Sequence, residues 1–138
     1  MRRILVLTAA LAILVLTAIP VFAGGRPLTA DLLGSNEVPG PGDPDGSGTA
    51  HVTLNQGLGE VCWEISFEGI AEPFAAHIHV GDASVAGGVA VALNTSSGCV
   101  GGVDGDLIKD IRQHPENYYV NVHNADFPPG ALRGQLSK

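Results

Sequence analysis

Apolar residues recur at every second position along most of this chain. Val61, Trp63, Ile65 and Phe67 alternate with Cys62, Glu64, Ser66 and Glu68, the cleanest half-buried strand in the sequence. Leu28, Ala30 and Leu32 alternate with Thr29 and Asp31, and Val89, Val91 and Leu93 repeat the pattern. Tyr118, Val120 and Val122 form another strand. Leu132, Gly134 and Leu136 form the last, with Arg133 and Gln135 on its opposite face. His51 alternates with Val52 and Leu54, which turns it to solvent. Many short strands separated by Gly, Pro, Asn and Asp clusters predict an all-β fold, an antiparallel sandwich or barrel.

One segment breaks the period. Leu107, Ile108 and Ile111 fall on one side at helical spacing, which predicts a short helix over 106–113, capped by Asp106 and ending before Pro115. His114 belongs to the turn that ends it. Residues 34–48 hold five glycines and three prolines, too many for a regular element, and 94–105 is a polar, glycine-rich loop around Cys99. No internal repeat or coiled coil interrupts this pattern, so one domain with two long loops is expected.

The N-terminus reads differently. Arg2 and Arg3 precede a nearly unbroken apolar run over residues 4–19, and Val21 and Ala23 place small residues before a cut ahead of Gly24. This is the pattern of a secretory signal peptide over residues 1–23, cleaved after Ala23, and it predicts a secreted or periplasmic protein. No second long apolar run follows, so no membrane insertion is expected after cleavage.

Charge narrows the partners. Of the seven basic residues two lie in the leader, so residues 24–138 carry five against fourteen acidic. Such a surface repels nucleic acid and anionic lipid and attracts cations. The two cysteines, Cys62 and Cys99, would pair in an oxidising compartment. The alternation puts Cys62 on an outward face, within reach of the Cys99 loop.

The chemistry-bearing pattern is Ala76-His77-Ile78-His79-Val80-Gly81-Asp82, answered by Tyr118-Tyr119-Val120-Asn121-Val122-His123. In a strand, side chains at i and i+2 leave the same face, so His77 and His79 project together. A neighbouring strand carrying His123 would close a three-imidazole site, suited to one copper ion or, second, to zinc with water. Asp82, Asn121 and Asp126 are the nearest acceptors for the outer ring N–H groups. The structural alternative is that the three rings only hydrogen-bond loops and strand ends.

These residues carry a family resemblance. Leu33-Gly34-Ser35-Asn36-Glu37-Val38-Pro39, Gly48-Thr49-Ala50, the His77–His79 segment, the Tyr118–His123 segment and Pro129-Gly130-Ala131-Leu132-Arg133-Gly134-Gln135-Leu136 resemble the chordin-type CHRD domain in order and spacing. The resemblance covers essentially all of residues 24–138 and implies an extracellular module. A more distant likeness is to copper/zinc superoxide dismutases. There His-x-His followed by Gly-Asp is the copper-binding strand, and Val120-Asn121-Val122-His123 looks like the later copper strand. That likeness implies a Greek-key barrel or sandwich, copper roles for His77, His79 and His123, and an anion-attracting Arg133. The bridging histidine and the zinc ligands of those enzymes have no counterparts here.

Arg133 has a second expected role, an ion pair with Glu37, and that pairing is preferred. Asp43-Pro44-Asp45-Gly46-Ser47-Gly48 begins like a calcium loop, but its twelfth position is Leu54 rather than Glu, so it reads as an acidic turn. No phosphate loop, nucleophile elbow or paired-carboxylate setting is present. Three functions remain. The preferred one is an extracytoplasmic binding module with a three-histidine copper site, with the non-catalytic reading preferred over the enzymatic one. The others are a copper-dependent dismutase-like enzyme and a metal-free structural or adhesive module with a protein or glycan partner.

Overall fold

A computed structural model describes residues 27–138. The expected leader and its cut after Ala23 lie outside the described residues. Eight strands and one helix follow in order: β1 (Leu28–Leu33), β2 (Ser47–Asn55), β3 (Glu60–Glu68), β4 (Pro73–Val80), β5 (Val89–Leu93), β6 (Ser97–Val100), α1 (Gly105–Gln113), β7 (Tyr118–Asn124) and β8 (Leu132–Gln135).

All the strands join one eight-stranded sheet in the order β5-β4-β7-β8-β1-β2-β3-β6, and every pairing is antiparallel. The end strands β5 and β6 approach each other, so the sheet curls into a nearly closed barrel. Across that seam the sequence-consecutive strands β3 to β6 take the spatial order β3-β6-β5-β4, which is a Greek-key arrangement. The all-β class with one short helix is therefore what the alternating pattern predicts.

The alternation is why these segments pair as they do. Leu28, Ala30 and Leu32 of β1 turn inward against Ala50, Val52 and Leu54 of β2 and Val61, Trp63 and Ile65 of β3. Ile78 of β4 and Val120 and Val122 of β7 close the core from the other side. Burying a Val, Leu or Ile side chain contributes about 1.5–3 kcal/mol, so a one-residue slip that turned such a row outward would be strongly disfavoured. The one buried indole keeps its hydrogen bond: Trp63 Nε1 donates to Asn94 Oδ1 at 3.0 Å.

Helix α1 buries Ile108 and Ile111 in the same core, as their spacing predicts. Its cap is Asp104, not Asp106. Asp104 accepts from the backbone N–H groups of Asp106 and Leu107, because the helix begins at Gly105. His114 ends it, as expected, and a short 3-10 turn (Pro115–Asn117) leads into β7.

Two loops contain more order than their composition predicts. Residues 34–36 form a 3-10 turn, and Ser47 and Gly48 already belong to β2. Strand β6 runs through the glycine-rich 94–105 segment because Cys99 sits directly opposite Cys62 on β3. The Cys62–Cys99 disulfide forms, with an S–S distance of 2.06 Å. His51 is exposed, as predicted.

Candidate metal centre

The pairing of β4, β7 and β8 sets out a face whose side chains all point away from the core. His77 lies opposite Asn121, which lies opposite Arg133; His79 lies opposite Tyr119, which lies opposite Gln135. His123 pairs with Ala75 one row further along. The rows between them, Ile78, Val120 and Gly134, face inward. Strand β7 is buried on both faces, where its alternation predicts only one. The connections over residues 34–46 and 81–88 reach across the outer face: Glu37 of the first bonds Asn121, and Gly87 of the second bonds Tyr119.

The three predicted histidines come together. One nitrogen from each of His77, His79 and His123 lies within 4.8 Å of the other two. Ring centroids are 5.0 Å apart for His77 and His123, 5.4 Å for His77 and His79, and 6.1 Å for His79 and His123. Two backbone carbonyls set the tautomers. His79 Nδ1 is 3.0 Å from Gly87 O and His123 Nδ1 is 3.0 Å from Pro128 O. A carbonyl only accepts, so both Nδ1 atoms carry hydrogen and both Nε2 atoms present lone pairs. His123 Nε2 faces His77 Nδ1 at 3.1 Å. His79 Nε2 is buried with no partner.

An unpartnered lone pair under cover is costly unless something else takes it up. With His123 Nε2 bare, His77 Nδ1 carries the hydrogen between those two rings. A cation held by one nitrogen from each ring, His79 Nε2 among them, would take up the orphaned lone pair in exchange for that bond. Burial holds the His77 pKa below that of a free imidazole, and the charges of His123 and His79 push it the same way. Burial also lowers the His123 pKa, against the opposing pull of its bond to Pro128. Both rings are therefore biased to the neutral form that ligates metal. By donor type the set fits copper or zinc; three neutral nitrogens without a thiolate are a poor match for a closed structural zinc site.

The outer-shell assignment changes. The ring N–H groups of His79 and His123 are met by Gly87 and Pro128 carbonyls, not by Asp82, Asn121 or Asp126. Asp82 instead accepts from the Ser84 backbone and hydroxyl, which holds its carboxyl below the usual range. Asn121 donates to Glu37 Oε1 at 2.6 Å, and Asp126 is exposed. Backbone carbonyls prevail because loops folding over a strand bring them to ring height, whereas side chains on neighbouring strand positions point to the other face or to other partners.

Arg133 and Glu37 lie near each other without an ion pair. Arg133 is 1% exposed and donates from Nη2 to Asp82 O at 2.7 Å and Val85 O at 2.9 Å. Its Cζ stacks 3.5 Å from the Tyr119 ring centroid. Glu37 is buried beside Gly130, whose missing side chain leaves the space its carboxylate fills. Burial pushes the Glu37 carboxyl up to about 7, against the Asn121 hydrogen bond and the Arg133 charge. So the expected Glu37–Arg133 bridge is replaced by carbonyl, aromatic and amide partners.

Sequence reasoning missed Tyr119, Gly87 and Pro128. Tyr119 shares its face with Asn121 and His123 by simple alternation, so that signal was present. The carbonyls of Gly87 and Pro128 carry no side-chain signature at all.

These features define a class: a small disulfide-linked Greek-key barrel with a three-histidine cluster on its outer face. The chain matches the CHRD domain over residues 28–136, from the first strand to just past the last, and it belongs to that family. A comparison with curated proteins gives no match, and neither does a comparison with solved structures.

Proposed function

We propose that this CHRD domain is an extracytoplasmic metal-binding module in which His77, His79 and His123 hold one copper ion. The observation that carries the reading is the convergence of three imidazole nitrogens within 4.8 Å, beside which His79 Nε2 is buried and unpartnered. Three neutral nitrogens leave a coordination position open, which suits Cu(II) more than a closed zinc site. The apolar leader and the disulfide support an oxidising compartment outside the cytoplasm.

The role is binding rather than catalysis. A dismutase-like reading needs Arg133 to draw anions toward the metal, yet the residue is 1% exposed, its guanidinium lies over Tyr119 and its Nη2 donates to two carbonyls. The acidic surface disfavours nucleic acid and anionic lipid. An extracellular protein or glycan remains the partner class for such a module.

The test is elemental analysis of the protein exported to an oxidising compartment in medium supplemented with copper and zinc, then dialysed. Near-stoichiometric copper, lost in the folded His77→Ala, His79→Ala double variant, is the expected result. A folded wild-type protein that retains neither metal would overturn the reading and favour the metal-free structural module.

A further inference from the structure

His79 is held by residues that are not themselves candidate ligands. Its Nδ1–H donates to Gly87 O, in the connection between β4 and β5. That connection has no ladder of its own, and three side chains of β7 and β8 tie it down. Tyr119 Oη accepts from the Gly87 N–H at 3.1 Å. Arg133 Nη2 donates to Asp82 O and Val85 O at 2.7 and 2.9 Å. Gln135 Nε2 donates to Gly81 O at 2.6 Å. A side chain on Gly87 would collide with Val80 O, so the connection lies flush against the end of β4.

Tyr119 reaches His79 by a second route. The two rings are stacked, with centroids 5.0 Å apart and planes 9° from parallel, while the Arg133 guanidinium packs on the same tyrosine ring. Tyr119 therefore fixes both the plane of the imidazole and the height of the carbonyl that takes its proton. Arg133 fixes the loop that carries this carbonyl. Its Nη2 alone donates to both carbonyls while the guanidinium carbon sits 3.5 Å over the ring centroid, a packing on the aromatic face that the compact ammonium of lysine does not reproduce.

We infer that Tyr119 and Arg133 are positioning residues that hold His79 as the Nδ1–H tautomer in one plane, presenting its Nε2 toward His77 and His123. Which imidazole nitrogen keeps its hydrogen is set by the partner of the other, so control of Gly87 O is control of the ligating atom. That the positioned atom is a metal ligand rests on the copper reading above; the positioning itself does not.

The decisive measurement is imidazole 15N–1H NMR of His79 in the metal-free protein, followed by copper titration. Tyr119→Phe removes one hydroxyl and keeps the ring stack, so the variant is expected to fold. Arg133→Lys keeps the charge and removes the planar guanidinium that packs over Tyr119. In wild type, His79 is expected to be protonated at Nδ1 and bare at Nε2. In Tyr119→Phe the tautomers mix, and copper affinity falls roughly tenfold, at the lower end of losses for altered outer-shell partners. Arg133→Lys shifts the tautomers in the same direction. Wild-type tautomer populations in folded Tyr119→Phe would overturn the inference for Tyr119, and the same result in folded Arg133→Lys would overturn it for Arg133. A wild-type protein that takes up no copper would overturn the metal reading alone, because the tautomer shift is read without metal.

Discussion

Tyr119 lies flat against His79, and its hydroxyl holds the backbone of the same glycine whose carbonyl accepts the His79 proton. An exposed histidine on a strand samples several rotamers and both tautomers. One clamped between a ring and a carbonyl is already in the conformation a metal requires. Pre-organisation of this kind removes an ordering cost from binding.

The three histidines differ in what else they support. His77 is half-buried and hydrogen-bonds His123 within the cluster. His77→Ala is expected to abolish copper retention, with a loss larger than the roughly 10–100-fold typical of outer-shell changes. The melting temperature of the metal-free variant should stay close to wild type. His123 is 8% exposed and bonds Pro128 O, so His123→Ala should lose copper and also about 1–2 kcal/mol of stability. Copper titration beside urea unfolding separates the two effects.

Acid should act on the metal-free fold through His77 and His123. Both are biased to the neutral form when folded, so the unfolded chain binds more protons once the pH falls below about 6.5. Stability should therefore be lost as the pH falls from about 6.5 toward their lower folded pKa values. Urea midpoints across that range test this, and the His77→Ala, His123→Ala variant should show a flatter profile.

Glu37 acts with the opposite sign. Its carboxyl titrates near 7 in the fold against an ordinary 4.5, so the folded state holds its proton more tightly. That contribution is fully present below about pH 4.5 and is lost as the pH rises through about 7. Glu37→Gln keeps an oxygen acceptor for Asn121 and removes the titration. Relative to wild type, the variant should gain stability between pH 4.5 and 8. A difference between the two proteins that does not vary with pH would contradict this assignment.

The disulfide staples two strands that carry none of the three clustered histidines. It joins β3 to β6, neither of which pairs with β4 or β7. Closing a loop with 37 residues of separation stabilises by about 3–4 kcal/mol in the chain-entropy picture. Cys62→Ala, Cys99→Ala should lose about that much in denaturant unfolding. The folded fraction should still take up copper with near wild-type affinity.

Helix α1 offers a local check. Asp104 satisfies two backbone N–H groups at its start, so Asp104→Ala should cost about 1 kcal/mol. Asp106→Ala, at the position that sequence spacing favours as the cap, should cost less. Thermal unfolding of the two variants side by side distinguishes them.

Most of the strands were legible in advance because burying one face imposes a period of two on the sequence. Leu28 to Leu32 and Val61 to Ile65 show it, Val91 and Leu93 show it in β5 while Val89 is exposed, and the His77–His79 pair sharing a face follows from the same geometry. Strand β6 was not legible. Its Ser97-Gly98-Cys99-Val100 has no alternation worth reading, and it is a strand because the edge of β3 and the Cys62 sulfur are there to meet it. Asp104 was missed as the cap for a related reason: helix spacing marks the turns and leaves the first residue uncertain by one or two positions.

The candidate site divides along the same line. Sequence alone determined that His77 and His79 project together, that His123 lies on an outward row, that Cys62 and Cys99 pair, and that the fold is all-β. Those features follow from local alternation and from residue chemistry. Tertiary structure decided that β4 and β7 are neighbours, which brings His123 to the other two. It also decided that Gly87 and Pro128 set the ring tautomers, and that Arg133 is sealed over Tyr119 and tied to loop carbonyls instead of paired with Glu37. The physical reason is that backbone carbonyls are the same at every residue. Where a loop will place them against a distant strand is settled only when the whole sheet has closed.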